Sequence, residues 1–98
     1  MVISLYGLLE AAPQLLQPFI AAVIRTLRVA KGWSQEQLAQ TMQVEPSEIS
    51  KLESGKRQST VWTLQRVARA LGVTPWQLLW MAEMLQRRVE GEEAKMRE

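Results

Sequence analysis

The sequence predicts an all-α fold, a compact bundle of about five helices, and three features carry that prediction. Apolar residues recur at spacings of three and four through most of the 98 residues. Gly32, Gly55 and Gly72 each stand just past such a stretch, where a left-handed residue closes a helix. Ser34, Thr60 and Thr74 each stand where the next helix should open, as N-caps. Stretches such as MVISLY and STVWT favour strands by composition but have no partner to pair with.

Residues 3–11 (ISLYGLLEA) predict a short apolar helix that stops before Pro13. A first main helix is expected from Gln17 to Lys31, with Phe19, Ile20, Val23, Ile24 and Leu27 on one face. Ser34 to Gln37 has the form of a capping box, in which Ser34 accepts from the Gln37 amide and Gln37 reaches back. Helix two then runs to about Met42, with Leu38, Ala39 and Met42 inward. Helix three is expected from Pro46 to Ser54, with Ile49 and Leu52 inward. Pro46 suits its first position, where the missing N–H is no loss. Helix four follows Thr60 and ends near Leu71, with Val61, Leu64, Val67, Ala68 and Leu71 inward. Thr74 and Pro75 open helix five, which runs through TPWQLLWMAEMLQRRVE, and the charged end GEEAKMRE is expected to fray.

Composition removes most enzyme classes. The chain has no cysteine, histidine or aspartate, so it cannot form a disulfide, a thiolate or histidine metal site, a histidine base or a catalytic triad. The ten acidic residues are all glutamates and read as surface or helix-terminal groups. No enzymatic activity, metal or cofactor is expected. Between Arg25 and Gly72, eight Lys or Arg stand against four Glu, a net +4, while residues 1–24 and 73–98 each carry −1. A basic middle block is the footprint expected of a nucleic-acid partner. The apolar first 24 residues lack a basic start and are broken by Glu10, Pro13, Gln14, Gln17 and Pro18. A soluble, cytoplasmic protein with no membrane partner is the expectation.

The stretch from Gln35 to Leu52 is the most informative. Ala39 permits two helices to approach closely, Val44 plugs the joint, and Ile49 and Leu52 seat the second helix on the first. With IRTLRVAKGWSQEQLAQ, VEPSEISKLESGKR and LQRVARALGVTPWQLL, the chain resembles the Cro and phage-repressor type of helix-turn-helix regulator, the xenobiotic-response-element family. The resemblance runs from about Ile24 to Leu79. It implies a lambda-repressor-like DNA-binding domain over residues 17–80, with helix two at 35–42 and the recognition helix at 46–54. Residues 1–16 would be an apolar N-terminal extension, and residues 81–98 an extension of the C-terminal helix with a charged tail.

The resemblance also implies roles. Gln35 matches a phosphate-contacting glutamine that braces the reading helix. Pro46, Ser47, Ser50 and Lys51 match positions that face base edges in the major groove, and Lys56 and Arg57 match a backbone-contacting loop. Arg28 and Glu53 match an internal ion pair. Of Arg25, Lys31, Arg66 and Arg69, some are expected to add to the positive face, with no individual assignment. Three positions depart from the family pattern. Gln43 replaces the usual turn glycine, so either it is left-handed at ~1–2 kcal/mol or the turn differs. Ser59 replaces a common proline, and Trp62 stands where a polar residue is common. Glu45 and Glu48 open helix three, where carboxylates complement the helix dipole, worth ~0.3–1 kcal/mol each. Glu45 is also placed to accept from a cytosine amino group.

Trp33 reads as core or half-core. Trp76 and Trp80 share a face of helix five that Met84 extends, while Leu78, Met81, Ala82, Leu85 and Val89 form another apolar side. A helix apolar on two sides covers more than its own core, and the N-terminal apolar segment is one candidate cover. The resemblance implies a dimer and helix five outlasts the core it needs, so a homodimer interface through Trp76, Leu79, Trp80, Met84 and Leu85 is expected. The expected function is sequence-specific binding of double-stranded DNA as a transcriptional regulator, a repressor on a near-palindromic operator. Two alternatives stand beside it. One is the antitoxin of a toxin–antitoxin pair, with a toxin or another regulator as protein partner. The other is an interaction module that has lost DNA binding.

Overall fold

The computed structural model describes the backbone of residues 5–56 and 59–97, and the side chains of residues 16–56 and 59–97. These residues form five helices: α1 (Leu5–Ala30), α2 (Gln35–Met42), α3 (Pro46–Ser54), α4 (Val61–Leu71) and α5 (Pro75–Arg97). The core is built from Ile20, Val23 and Ile24 of α1, Leu38, Ala39 and Met42 of α2, and Ile49 and Leu52 of α3. Leu64, Val67, Ala68 and Leu71 of α4 and Leu78 and Ala82 of α5 complete it. These are the apolar positions set at helical spacing in the sequence.

Helix starts follow the hydroxyl residues. The Gln37 amide donates to Ser34 Oγ at 3.1 Å, and the Ser34 amide donates to Gln37 Oε1 at 2.7 Å. Thr74 and Gln77 repeat this box at α5, at 3.0 and 2.9 Å. Thr60 Oγ1 accepts from the Thr63 amide at 3.1 Å and caps α4. Each such cap satisfies an amide that the helix itself leaves free.

Helix ends also share one geometry. In α1, Gly32 donates to the Val29 carbonyl and Trp33 to the Arg28 carbonyl. In α4, Gly72 donates to Arg69 and Val73 to Ala68. In α2, Gln43 donates to Gln40 and Val44 to Ala39. Each is a Schellman closure through a left-handed residue. Two of those residues are glycines, at φ 74° and 78°; the third is Gln43, at φ 57°. The alternative left open at Gln43 thus resolves to the left-handed conformation.

Four sequence expectations are corrected. The apolar segment at residues 3–11 is not a separate helix that stops before Pro13; α1 runs unbroken from Leu5 to Ala30, through both prolines. An interior proline costs a helix ~3 kcal/mol, and tertiary contacts around Pro18 offset this. Pro18 lies against Gly55, where an added Cβ would sit 3.4 Å from Pro18 Cα. Beside it, buried Gln17 donates to Ser59 Oγ at 3.1 Å and accepts from the Ser59 amide at 2.8 Å. A proline at 59 would lack that amide, so Ser59 and Gln17 work as a pair.

The first main helix also ends at Ala30, one residue short of the expected Lys31, because the turn bonds of Lys31 and Gly32 already close it. The tail GEEAKMRE is helical to Arg97 rather than frayed from Gly91. Arg87 with Glu83 at 3.0 Å and Arg88 with Glu92 at 3.7 Å support α5 one turn apart. Val61 is exposed rather than inward, because it opens α4 a full turn ahead of Leu64, where the core ends. The positions between residues 16 and 17 and between 80 and 81 fall inside α1 and α5, so neither is a break in the backbone. Among the described residues, no helix is long and apolar enough to cross a membrane.

Candidate nucleic-acid interface

Helix α3 has two distinct sides. Ile49 and Leu52 are buried in the core, while Glu45, Pro46, Ser47, Ser50, Lys51 and Ser54 face outward. Apart from Pro46 the outward set is polar, and the short side chains of Ser47, Ser50 and Ser54 let the backbone of α3 approach a groove closely. Glu45 is the N-cap, but its carboxylate makes no capping bond and stays available to a ligand. Lys51 lies 3.8 Å from Glu48, one turn back, with both side chains well exposed. An exposed pair of this length is worth ~0–1 kcal/mol, so Lys51 is readily released to a stronger acceptor.

The inner end of α3 is held by one hub. Arg28 Nε donates to Glu53 Oε2 at 2.6 Å and Nη2 to Oε1 at 2.9 Å, a two-pronged pair. Arg28 Nη1 donates to the Trp33 carbonyl at 2.7 Å, and Gln35 Nε2 donates to Glu53 Oε1 at 3.2 Å. The side chains of Arg28 and Glu53 are only 11% and 4% exposed. Arg28 of α1 and Gln35 of α2 therefore meet on the Glu53 carboxylate of α3, and Arg28 also ties in the Trp33 carbonyl of the α1–α2 loop. The hydrogen bond it donates to Glu53 raises the pKa of the Arg28 guanidinium above its ordinary value, burial opposes this, and the Glu53 charge adds to it. Glu53 is thus enclosed by structural partners, with little surface for chemistry.

Above this hub lies a shallow depression lined by Arg25, Gln35, Ser50 and Ser54. It brings a cation of α1, the first residue of α2 and the outer side of α3 to one place. A second depression, beside the outer face of α3, is lined by Glu48, Lys51, Ser54 and Lys56. Lys56 follows Gly55, the left-handed residue that closes α3 at φ 73°. Its amide donates to Ser54 Oγ at 3.2 Å. Arg57 lies outside the described residues.

Sequence reasoning left two of these features unassigned. Arg25 has no motif of its own; its place beside Gln35 and Ser50 follows from how α1 crosses α3. Ser54 carries no signal in the sequence beyond marking the end of helix three. Other cations point elsewhere. Lys31 sits 5.0 Å from the Trp33 ring and near Gly72, and Arg66 donates to the Met42 carbonyl. On α5, Trp76 is 74% exposed and Trp80 53%, with Met84 half-buried. Leu79 and Leu85, by contrast, pack partly onto the molecule's own core.

Two short helices crossing at a tight turn, the second with a polar outer face and cations at its flanks, define the DNA-binding fold of a helix-turn-helix transcription regulator. The chain belongs to the helix-turn-helix family of the Cro and phage-repressor type, whose family model matches residues 24–75, just over half its length. Regulators of this class are generally not enzymes. The chain is 36% identical over 64 residues to a hypothetical transcription factor of Neisseria meningitidis. It is 34% identical over 64 residues to a competence pilus inhibition repressor of Acinetobacter baylyi. Each match takes in 65% of this chain but 60% and 58% of those relatives, so the chain spans about three fifths of their length. Among solved structures, the clp gene regulator ClgR from Corynebacterium glutamicum aligns with a TM-score of 0.78 at 28% identity, over 84% of this chain and 87% of that one. The wild-type restriction-modification controller protein C.Esp1396I aligns with a TM-score of 0.64 at 28% identity, over 70% and 88%.

Proposed function

We propose that the protein is a sequence-specific regulator of transcription that binds double-stranded DNA through α3 and acts as a repressor. The observation that carries this reading is the division of α3. Its apolar side is locked into the core and its Glu53 into the hub, while Glu45, Pro46, Ser47, Ser50 and Lys51 are exposed towards base edges. Lys51 suits the acceptors of guanine, and the serines suit several bases. Gln35, Lys56, Arg57 and the amides at the start of α2 would hold phosphates and fix the register. Arg25 joins this set by its place beside Gln35 and Ser50. Repression would follow from occupying a promoter, and the competence pilus inhibition repressor among the relatives supports that direction.

The unit that binds is residues 17–80, flanked by the extensions 1–16 and 81–98; within these, residues 5–16 continue α1 and residues 81–97 continue α5. A homodimer would place two α3 helices in successive major grooves, one turn or ~34 Å apart, on a near-palindromic site. The exposed ring faces of Trp76 and Trp80, extended by Met84, support α5 as the dimer contact. Leu79 and Leu85 would border it, since each already covers part of the core. Selecting bound sequences from a random duplex pool tests the whole reading. A palindromic consensus is expected; failure to enrich any sequence would overturn it.

A further inference from the structure

Gln43 raises a question that the DNA-facing residues do not answer. It occupies a left-handed position at φ 57°, among the described residues the one non-glycine with positive φ. It also sits in the turn that sets the angle between α2 and α3. Two side chains outside the motif reach that turn. Arg66, from α4, donates through Nη2 to the Met42 carbonyl, the last of α2. That carbonyl belongs to the peptide plane that leads into Gln43. One turn back on α4, the Trp62 ring lies 4.7 Å from the Arg66 guanidinium carbon. Met42, Val44, Trp62 and Arg66 line one small depression over the joint.

Here we infer that Arg66 and Trp62 form a clamp that holds the α2–α3 turn in its left-handed form, doing the work a glycine would do at position 43. The two departures from the family pattern, Gln43 and Trp62, are then parts of one device. Arg66 donates to a carbonyl that the Schellman closure leaves without a partner, and a charged donor makes that bond stronger than a neutral one. Trp62 is 64% exposed, so it adds little to the core. Its place over the guanidinium keeps Arg66 from turning into solvent. Both are positioning residues: they act on DNA through the angle of α3, and neither is a phosphate contact.

The inference rests on the DNA-binding reading, and two measurements separate the two. The first needs no DNA. Hydrogen exchange at the Gln43 and Val44 amides should quicken about tenfold in Arg66→Ala and by less in Trp62→Ala, while amides of α1 and α5 keep their rates. In a Gln43→Gly background the same Arg66→Ala change should quicken exchange by less than about threefold, because glycine keeps the turn unaided. Equal losses in both backgrounds, or no loss in either, would overturn the clamp.

The second measurement uses a duplex selected from a random pool and a random-sequence duplex. Arg66→Ala should weaken the selected duplex about tenfold, leave the random one unchanged and leave the salt slope intact. A salt slope shallower by ~0.9 would make Arg66 a phosphate contact instead and overturn the inference. Should Arg66→Ala fail to fold, Trp62→Ala carries the same test, since an exposed ring is removed. If the unaltered protein binds neither duplex, the DNA-binding reading fails, and the exchange result still decides the clamp.

Discussion

Removing the Glu53 carboxylate would leave the Arg28 guanidinium buried without its counter-charge. Breaking such a pair from one side costs ~3–5 kcal/mol, so Glu53→Ala should lower stability strongly in thermal or urea unfolding, and an unmoved midpoint would count against the hub. The arginine half of the pair has a defined pH behaviour. Its folded-state pKa lies above the unfolded value, so its contribution is complete below the unfolded value. It is lost only as pH rises through the folded one, in strongly alkaline solution. At the outer face the effects should fall on binding, not stability. Lys51→Ala is expected to cost ~1–3 kcal/mol of discrimination between duplexes. Lys56→Ala should weaken all duplexes alike and make the salt slope shallower by ~0.9. Competition binding at several salt concentrations distinguishes the two.

Helix boundaries are the best-written part of this sequence. Ser34 with Gln37, Thr74 with Gln77, and Thr60 each open a helix through bonds between residues close in the chain, so their local spelling is sufficient. The same holds for Gly32 and Gly72. The errors arise where distant contacts decide. Pro13 and Pro18 argue for breaks by local rules, yet α1 continues, and around Pro18 the support comes from Gly55 and Ser59, some forty residues later. Val61 has the right spacing for the core but stands beyond its edge, which spacing alone does not encode. Gly55 belongs to both kinds: it closes α3 at φ 73°, and Pro18 of α1 lies against it. Gly55→Ala should therefore cost ~1–2 kcal/mol from the backbone conformation alone. Each kcal/mol lowers the melting temperature of a domain this size by ~4–8 °C, which calorimetry would read.

At the level of the whole molecule, the arrangement is a rigid frame that presents one helix face. The core joins all five helices, the hub ties α3 to α1 and α2, and the outer face of α3 is left polar. The motif, the core and the choice of outward residues were readable because they follow helical period. The depression joining Arg25 to Gln35, and the reach of Arg66 across to Met42, were not, because they depend on how separate helices cross. The exposed tryptophans of α5 give the molecule a second surface. Trp80→Glu should shift an assembly of 11.2 kDa chains towards monomers in sedimentation. It should also weaken a palindromic duplex roughly a hundredfold by removing linked binding; an unaltered protein that is already monomeric would refute that interface. The central claim is that α3 reads double-stranded DNA. Its most direct test is the affinity of the unaltered protein for a selected duplex, measured across a salt series. Tight, sequence-dependent binding that weakens steeply with salt, at ~0.9 log units per log unit of salt for each phosphate engaged, is the predicted result. No binding to any duplex at low salt would contradict the account.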